Sequence, residues 1–225
     1  MQAWSGSERL HLGAEAEVIS GTWFGRPAVL KKRRARGWRH PDLDASLTRK
    51  RMVNEVKLTI WLARRGAPVP AIWDVDLEDS TIIMEKIEGR PLIEILHSNE
   101  HDEQLLIKVG KAIRELHRNA VNHGDLSTNN ILINSQREAV LIDLGLATRE
   151  YDLEGFGIDL HVLHEILRAS HPDVKGAMDL VLKGYLALDE ELGEPEAAPG
   201  GMPPTAEDVV KRLEQVMKRV RYHGG

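Results

Sequence analysis

The sequence predicts an α+β fold in two lobes: a small antiparallel sheet with one main helix, then a reduced, mostly helical half. Three observations predict it. The first 35 residues and residues 71–87 read as short apolar strands broken by turn residues. One helical stretch without Gly or Pro lies between them. Beyond Gly89-Arg90-Pro91 the apolar residues recur mainly at helical spacing. Charge divides the same way. Residues 1–90 hold 16 Lys/Arg against 12 Asp/Glu, and the rest hold 14 against 23, so +4 and −9 give the net −5. The lobes are assigned to residues 1–88 and 89–225 of a single bilobal domain.

Val18 and Ile19 precede Gly21, and Trp23-Phe24-Gly25-Arg26-Pro27 reads as a hairpin turn into the strand Ala28-Val29-Leu30. From Leu43 to Arg65, Leu47, Met52, Val53, Val56, Ile60 and Trp61 recur at helical spacing, and Gly66 stops the run. Ala71–Leu77 and Thr81–Ile87 are strands around the turn Glu78-Asp79-Ser80. Gly89-Arg90-Pro91 breaks the chain. Glu103–Arg118 carries Leu105, Leu106, Val109, Ile113 and Leu116 on one helical face. Ile131–Ile133 and Val140–Ile142 are strands flanking Asn134-Ser135-Gln136. Leu160–Ala169 and Met178–Leu188 are helices, Glu194–Pro204 is a loop, and Thr205 caps a last helix.

The composition excludes several chemistries. With no cysteine there is no disulfide, thiolate metal site or cysteine nucleophile. No apolar run approaches the roughly 18–20 residues of a membrane span. Met1–His11 is polar and unlike a signal peptide, so the expected address is the cytoplasm, without membrane contact.

The most informative stretch is His123-Gly124-Asp125-Leu126-Ser127-Thr128-Asn129-Asn130, followed by strand, turn, strand and Asp143-Leu144-Gly145. Its chemistry is that of phosphoryl transfer. A loop Asp can accept the proton of an attacking hydroxyl or orient a water, and an Asn five residues on can turn an oxygen to a metal. A second Asp ending the next strand can hold Mg²⁺ on the phosphates of ATP. The spacing matches the kinase pattern H-x-D-L-x-x-x-N then D-F-G, with Gly124 for Arg and Leu144 for Phe. Asp125, with Lys31 and Glu55, makes up the expected catalytic set, and Asn130 and Asp143 are the expected metal ligands. Taken singly, either motif also reads as a helix cap or turn residue. Lys31 ends the strand expected to deliver a phosphate-binding Lys, and Glu55, inside the first-lobe helix, is its expected ion-pair partner. Gly13-Ala14-Glu15-Ala16-Glu17 occupies the place of a Gly-rich loop with one Gly, and Glu15 there suggests an indirect metal or water contact. Met84-Glu85-Lys86-Ile87 is the expected hinge, with backbone groups of Glu85 and Ile87 on the adenine edge. Val18, Ala28 and Leu132 are expected around the ring, though each also fits as an ordinary core residue.

These segments resemble the small atypical protein kinase/ATPase subunit of the KEOPS complex, which supports threonylcarbamoyladenosine formation on transfer RNA. The resemblance runs from about residue 10 to 172. It is carried by Gly13-Ala14-Glu15-Ala16, Val29-Leu30-Lys31, Gly37-Trp38-Arg39-His40-Pro41, Arg51 to Glu55, Met84 to Gly89, the catalytic loop, Asp143 to Ala147, Ile158-Asp159-Leu160 and Ser170-His171-Pro172. Leu144 stands where the family carries Phe and, being apolar, is expected to pack. The family's strongly basic tail is reduced here to Lys218, Arg219 and Arg221.

The resemblance implies ATPase activity coupled to a partner subunit and autophosphorylation when alone. It implies that the threonylcarbamoyl transferase binds the C-lobe and a small regulatory subunit the N-lobe. Lys31–Arg39 holds six basic residues in nine and reads either as a seat for transfer RNA phosphates or a partner, or as a solvated face. There is no A-P-E motif, and Asp143 lies 16 positions from Asp159, the expected brace of the catalytic loop, which leaves little platform for a peptide substrate. Two alternatives remain at this level. One is a small-molecule phosphotransferase of the aminoglycoside or choline kinase type, which also uses His-Gly-Asp. The other is a catalytically silent kinase-fold scaffold, against which the intact set Lys31, Glu55, Asp125, Asn130 and Asp143 stands.

Overall fold

A computed structural model describes residues 3–13, 16–34, 40–197 and 200–223. The chain divides into two compact units, Met1–Arg65 with Val69–Ile87, and Gly66–Pro68 with Glu88–Gly225.

The first unit is an antiparallel sheet and a helix. β1 (Trp4–Leu12), β2 (Ala16–Trp23), β3 (Arg26–Arg33), β4 (Ile72–Asp76) and β5 (Thr81–Glu85) lie in the order β1-β2-β3-β5-β4. Phe24 and Gly25 both take positive φ, 47° and 79°, the primed turn whose twist suits a two-residue hairpin. Between β4 and β5, Asp76 Oδ1 accepts the N–H groups of Glu78 and Asp79 at 2.8 and 2.9 Å, so an aspartate side chain makes the turn. α1 (Pro41–Ala63) opens on a proline in its first turn, where a missing N–H costs nothing. It buries Met52, Glu55, Leu58, Thr59 and Leu62, spaced by three and four residues. Gly66, at φ 77°, ends the run.

The second unit holds α2 (Leu92–His97), α3 (Glu103–Arg118), α4 (Leu153–Ser170), α5 (Ala177–Leu192) and α6 (Ala206–His223). Short strands β6 (Gly89–Pro91), β8 (Ile131–Asn134) and β9 (Ala139–Leu141) form one small sheet, and β7 (Val121–Asn122) pairs with β10 (Thr148–Arg149). Gly89-Arg90-Pro91 is therefore a strand and not a break, and its Pro91 leads directly into α2, which the sequence reading lacked. α4 starts at Leu153, not Leu160, capped by Asp152 Oδ1 on the Glu154 N–H, and Gly155 and Gly157 sit inside it. A Cβ at Gly155 would strike the side chains of Glu150 and Asn122, and one at Gly157 that of Arg212. Among the described residues no helix is long and apolar enough to cross a membrane.

α3 and α5 meet through glycine. A Cβ at Gly110 would run into the Val181 carbonyl oxygen, and one at Gly184 into that of Ile107. Neither neighbour is a side chain that can swing away. In an exposed helix Gly→Ala gains up to about 1 kcal/mol. Here Gly184→Ala is expected to cost about 1–3 kcal/mol by overpacking, read as a lower urea midpoint at unchanged m-value.

Candidate functional site

In the second unit the chemistry is built around α4. Asp159, 2% exposed, accepts the backbone N–H of His123 at 2.5 Å on Oδ2 and that of Gly124 at 2.9 Å on Oδ1. The brace expected at Asp159 is present. Gly124 takes φ 75°, and a Cβ there would strike the Leu146 carbonyl. Both conditions exclude a larger residue, which explains His-Gly-Asp where many kinases carry His-Arg-Asp. His123 Nε2–H donates to the Ile142 carbonyl at 3.0 Å and so ties the loop to the residue before Asp143.

Asp125 leaves this brace exposed, and Leu126 behind it is fully buried. Asn130 donates its amide N–H groups to the Asp125 carbonyl at 2.9 Å and to Asp125 Oδ2 at 3.1 Å. That leaves the Asn130 Oδ1 as the ligand atom of the side chain. Asp143 is exposed and left-handed, at φ 61° and ψ 62°, a conformation that favours Asp and Asn among residues with a Cβ. Leu144 packs at 1% exposure, as expected of the residue in the Phe position. Carboxylate, amide and carbonyl oxygens form a hard donor set of the kind magnesium takes. Leu132 lies half-buried on β8, alternating with the buried Ile131 and Ile133.

In the first unit, Lys31 Nζ donates to Glu55 Oε1 at 2.6 Å, with both groups buried. Arg33 Nη2 donates to Glu55 Oε2 at 2.5 Å, a second cation the sequence reading did not single out. The signal for it was the alternation of β3, which puts positions 31 and 33 on one face.

The same alternation moves another expectation. In the β2–β3 register Val18 pairs with Lys31, Ser20 with Val29 and Gly21 with Ala28. Val18, Val29 and Lys31 therefore share a face, and Ala28 lies on the opposite one. On β5, Met84 pairs with Val29 and joins that face. The Glu85 N–H, one of the backbone groups expected on the adenine edge, is committed to the Ala71 carbonyl at 2.8 Å. Lys86 N–H bonds Pro27 O at 3.4 Å, and Ile87 follows at the end of the unit. Gly13 N–H closes the β1–β2 turn onto Ala16 O at 2.9 Å. Glu15 and Gly37-Trp38-Arg39 lie outside the described residues.

Behind Asp159 stands a buried polar network without a sequence signal, because its members are far apart in the chain. His117 Nε2 lies 3.3 Å from Asp159 Oδ2 and His117 Nδ1 lies 2.7 Å from Tyr185 Oη. Burial holds the His117 imidazole below its usual range, against the pull of Asp159, and pushes the Tyr185 phenol up. His171, desolvated and near His97 and His101, is also lowered.

This fold and site define a protein-kinase-like phosphotransferase class. A RIO domain family model matches residues 29–169. The chain is 33% identical over 228 residues to the EKC/KEOPS complex subunit Tp53rkb of Mus musculus, covering 96% of this chain and 88% of the relative. It is 32% identical over 188 residues to the KEOPS complex subunit Bud32 of Pyrococcus abyssi, covering 80% and 85%. It is 33% identical to a probable bifunctional tRNA threonylcarbamoyladenosine biosynthesis protein of Methanosarcina mazei, of which it spans 36%. The chain belongs to the RIO domain family, which is kinase-like, and to the family of the KEOPS subunits Tp53rkb and Bud32.

His117 faces Asp159, Tyr185, Arg114 and His123 and stays neutral in the native state. The unfolded imidazole, with a pKa of about 6.5, takes up a proton that the native one refuses. Stability is therefore fully present above about pH 6.5 and falls below it, by at most about 1.4 kcal/mol per pH unit for each such histidine. Thermal midpoints measured from about pH 8 to about pH 5 should decline on the acid side, and His117→Gln should make that decline shallower.

Proposed function

We propose that this chain is the Mg-dependent ATPase and atypical serine/threonine kinase subunit of a KEOPS complex, supporting threonylcarbamoyladenosine modification of transfer RNA. The observation that carries it is the near full-length match to a KEOPS subunit with Lys31, Glu55, Asp125, Asn130 and Asp143 all intact. These relatives favour it over the aminoglycoside or choline kinase alternative, and the intact set favours it over a silent scaffold.

The two units are read as the two lobes. Lys31, held by Glu55, takes the phosphates. The Glu85 carbonyl and an Ile87 backbone group take the adenine edge, with Val18, Val29 and Leu132 as apolar contacts to the ring. Asn130 Oδ1 and the Asp143 carboxylate would hold magnesium. Bound there, it supplies charge neutralisation of the phosphate oxygens. Asp125 orients the attacking hydroxyl or water and accepts its proton, and the amide of Asn130 fixes which carboxylate oxygen is free to do so. From Gly145 to Asp152 only a 3-10 turn and the two-residue β10 intervene before α4. So short a segment supports ATP hydrolysis and autophosphorylation better than capture of diverse peptides. The threonylcarbamoyl transferase is assigned to the second unit and a small regulatory subunit to the first. The basic segment 31–39 is a candidate contact for transfer RNA phosphates, and the cytoplasm is the proposed location.

Asp125→Ala should lower Mg-dependent ATP turnover by at least about 10²-fold. Asp143→Asn, which tolerates the left-handed backbone, should do the same while stability stays within about 0.5 kcal/mol. Turnover retained in the double variant would remove this mechanism. The purified chain should also co-elute with the cognate threonylcarbamoyl transferase in size exclusion; separate elution at micromolar concentration would count against the KEOPS assignment.

A further inference from the structure

We propose that Tyr185 is a positioning residue for the loop that carries Asp125, acting by donating to His117 Nδ1 and so holding the ring whose Nε2–H meets Asp159. The catalytic part of this inference rests on the function proposed above; the hydrogen bonds do not.

The directions of the hydrogen bonds follow from donor chemistry. Asp159, as a carboxylate, can only accept. It takes N–H groups from His123 and Gly124, so His117 Nε2, 3.3 Å from Oδ2, must carry its hydrogen to join them. A neutral imidazole protonated on Nε2 has a bare acceptor at Nδ1. That atom is met by the Tyr185 hydroxyl at 2.7 Å, which must then donate. The other side of the phenol oxygen faces Arg114, whose Nη1 donates to it at 3.4 Å. Arg114 can never accept, so the hydroxyl hydrogen has one place to go, His117.

Tyr185, His117 and Arg114 are all fully buried, so no water competes for these roles. Arg114 is itself fixed. It forms a two-pronged pair with Asp189 at 2.8 Å on each oxygen and donates to the Pro204 carbonyl at 2.9 Å. Asp189 also accepts the Ala206 N–H that opens α6, at 2.8 Å. A continuous set of directed bonds thus runs from the α5–α6 junction to the loop before Asp125.

Without the Tyr185 hydroxyl, Nδ1 becomes a buried acceptor without a donor. The imidazole keeps its hydrogen on Nε2, where Asp159 accepts it, but nothing holds the ring from its other side. The brace then has one of its three donors loose, and the His123 and Gly124 amides lose a fixed acceptor. Tyr185→Phe isolates this effect, since the ring and its edge contact with His117, centroids 5.5 Å apart, are kept.

The test uses the full chain labelled with ¹⁵N-histidine. In the wild type, His117 is expected to show hydrogen on Nε2 alone. In Tyr185→Phe it should keep that tautomer, with the Nδ1 resonance shifted by the loss of its donor, and the His123 and Gly124 amides should exchange faster. The kcat for Mg-dependent ATP turnover should fall about tenfold or more, with the KM for ATP within about twofold, because the loop places Asp125 and does not grip the nucleotide. In a His117→Gln background, Tyr185→Phe should lower kcat no further. An unchanged Nδ1 resonance, unchanged amide exchange or an unchanged kcat in the single variant overturns the proposal; so does an additive loss in the double variant, which would mark a packing role. A wild-type chain with no ATP turnover would instead overturn the function proposed above, while the Nδ1 resonance and the amide exchange rates would still decide the relay.

Discussion

The second unit depends on one carboxylate. At Gly124 the chain turns through positive φ, so the N–H groups of His123 and Gly124 point to the same side and can join neither a helix nor a ladder. Left unpaired in the interior, each would cost about 1–3 kcal/mol. Asp159 accepts both, one on each oxygen. No cation is among these partners. Two peptide groups and a neutral imidazole carry the compensation, which makes their geometry the condition for keeping a charge there. The exposed position of Asp125 follows from that condition, and through the bond from His123 to Ile142 so does the entry to Asp143.

The first unit solves the opposite problem. Lys31 must present a charge in a largely dehydrated place, and Glu55 holds it there from α1. Such a buried pair is weak evidence for stability, since desolvation can cancel the attraction. Its value is positional. Arg33 on the second oxygen restrains the Glu55 carboxylate from turning, so Lys31 has one preferred place. Loss of Glu55 would leave two buried cations without it, which is why this acid is fixed more tightly by its surroundings than a surface pair would be.

Much of this was legible in the chain. Glu103–Arg118 could be read to both ends because its apolar face is one-sided and because the side chain of Asp102 caps the Leu105 N–H at 2.8 Å. The order His123, Asp125, Asn130, Asp143 survives in sequence because one loop and one hairpin place them: Asn130 bonds Asp125, and both His123 and Asn130 bond Ile142, the residue before Asp143. Ala28 was misplaced by a single residue, and in a strand one residue is the whole difference between faces; Val29 is the partner in alternation with Lys31. The start of α4 was hidden because Gly155 and Gly157 look like breakers, whereas they are glycine to admit neighbouring side chains. Arg33 was masked by the other cations around it. His117 and Tyr185, 68 residues apart, carry no local pattern, and only packing brings them together.

Three aspartates of the second unit thus divide the work by exposure. Asp125 and Asp143 are exposed, where the phosphate, metal or water of the proposed chemistry could reach them. Asp159 is 2% exposed and spends its oxygens on backbone. An exposed acid is cheap to keep and costs little to remove, so chemistry can sit there without the fold depending on it. A buried acid is the reverse: its removal strands its donors, and its retention requires every one of them. The short passage from Gly145 to Asp152 sharpens the consequence. With so little chain between Asp143 and α4, no separate segment is available to order the catalytic loop on demand, and its geometry must come from α4 itself, through Asp159 and the buried groups behind it.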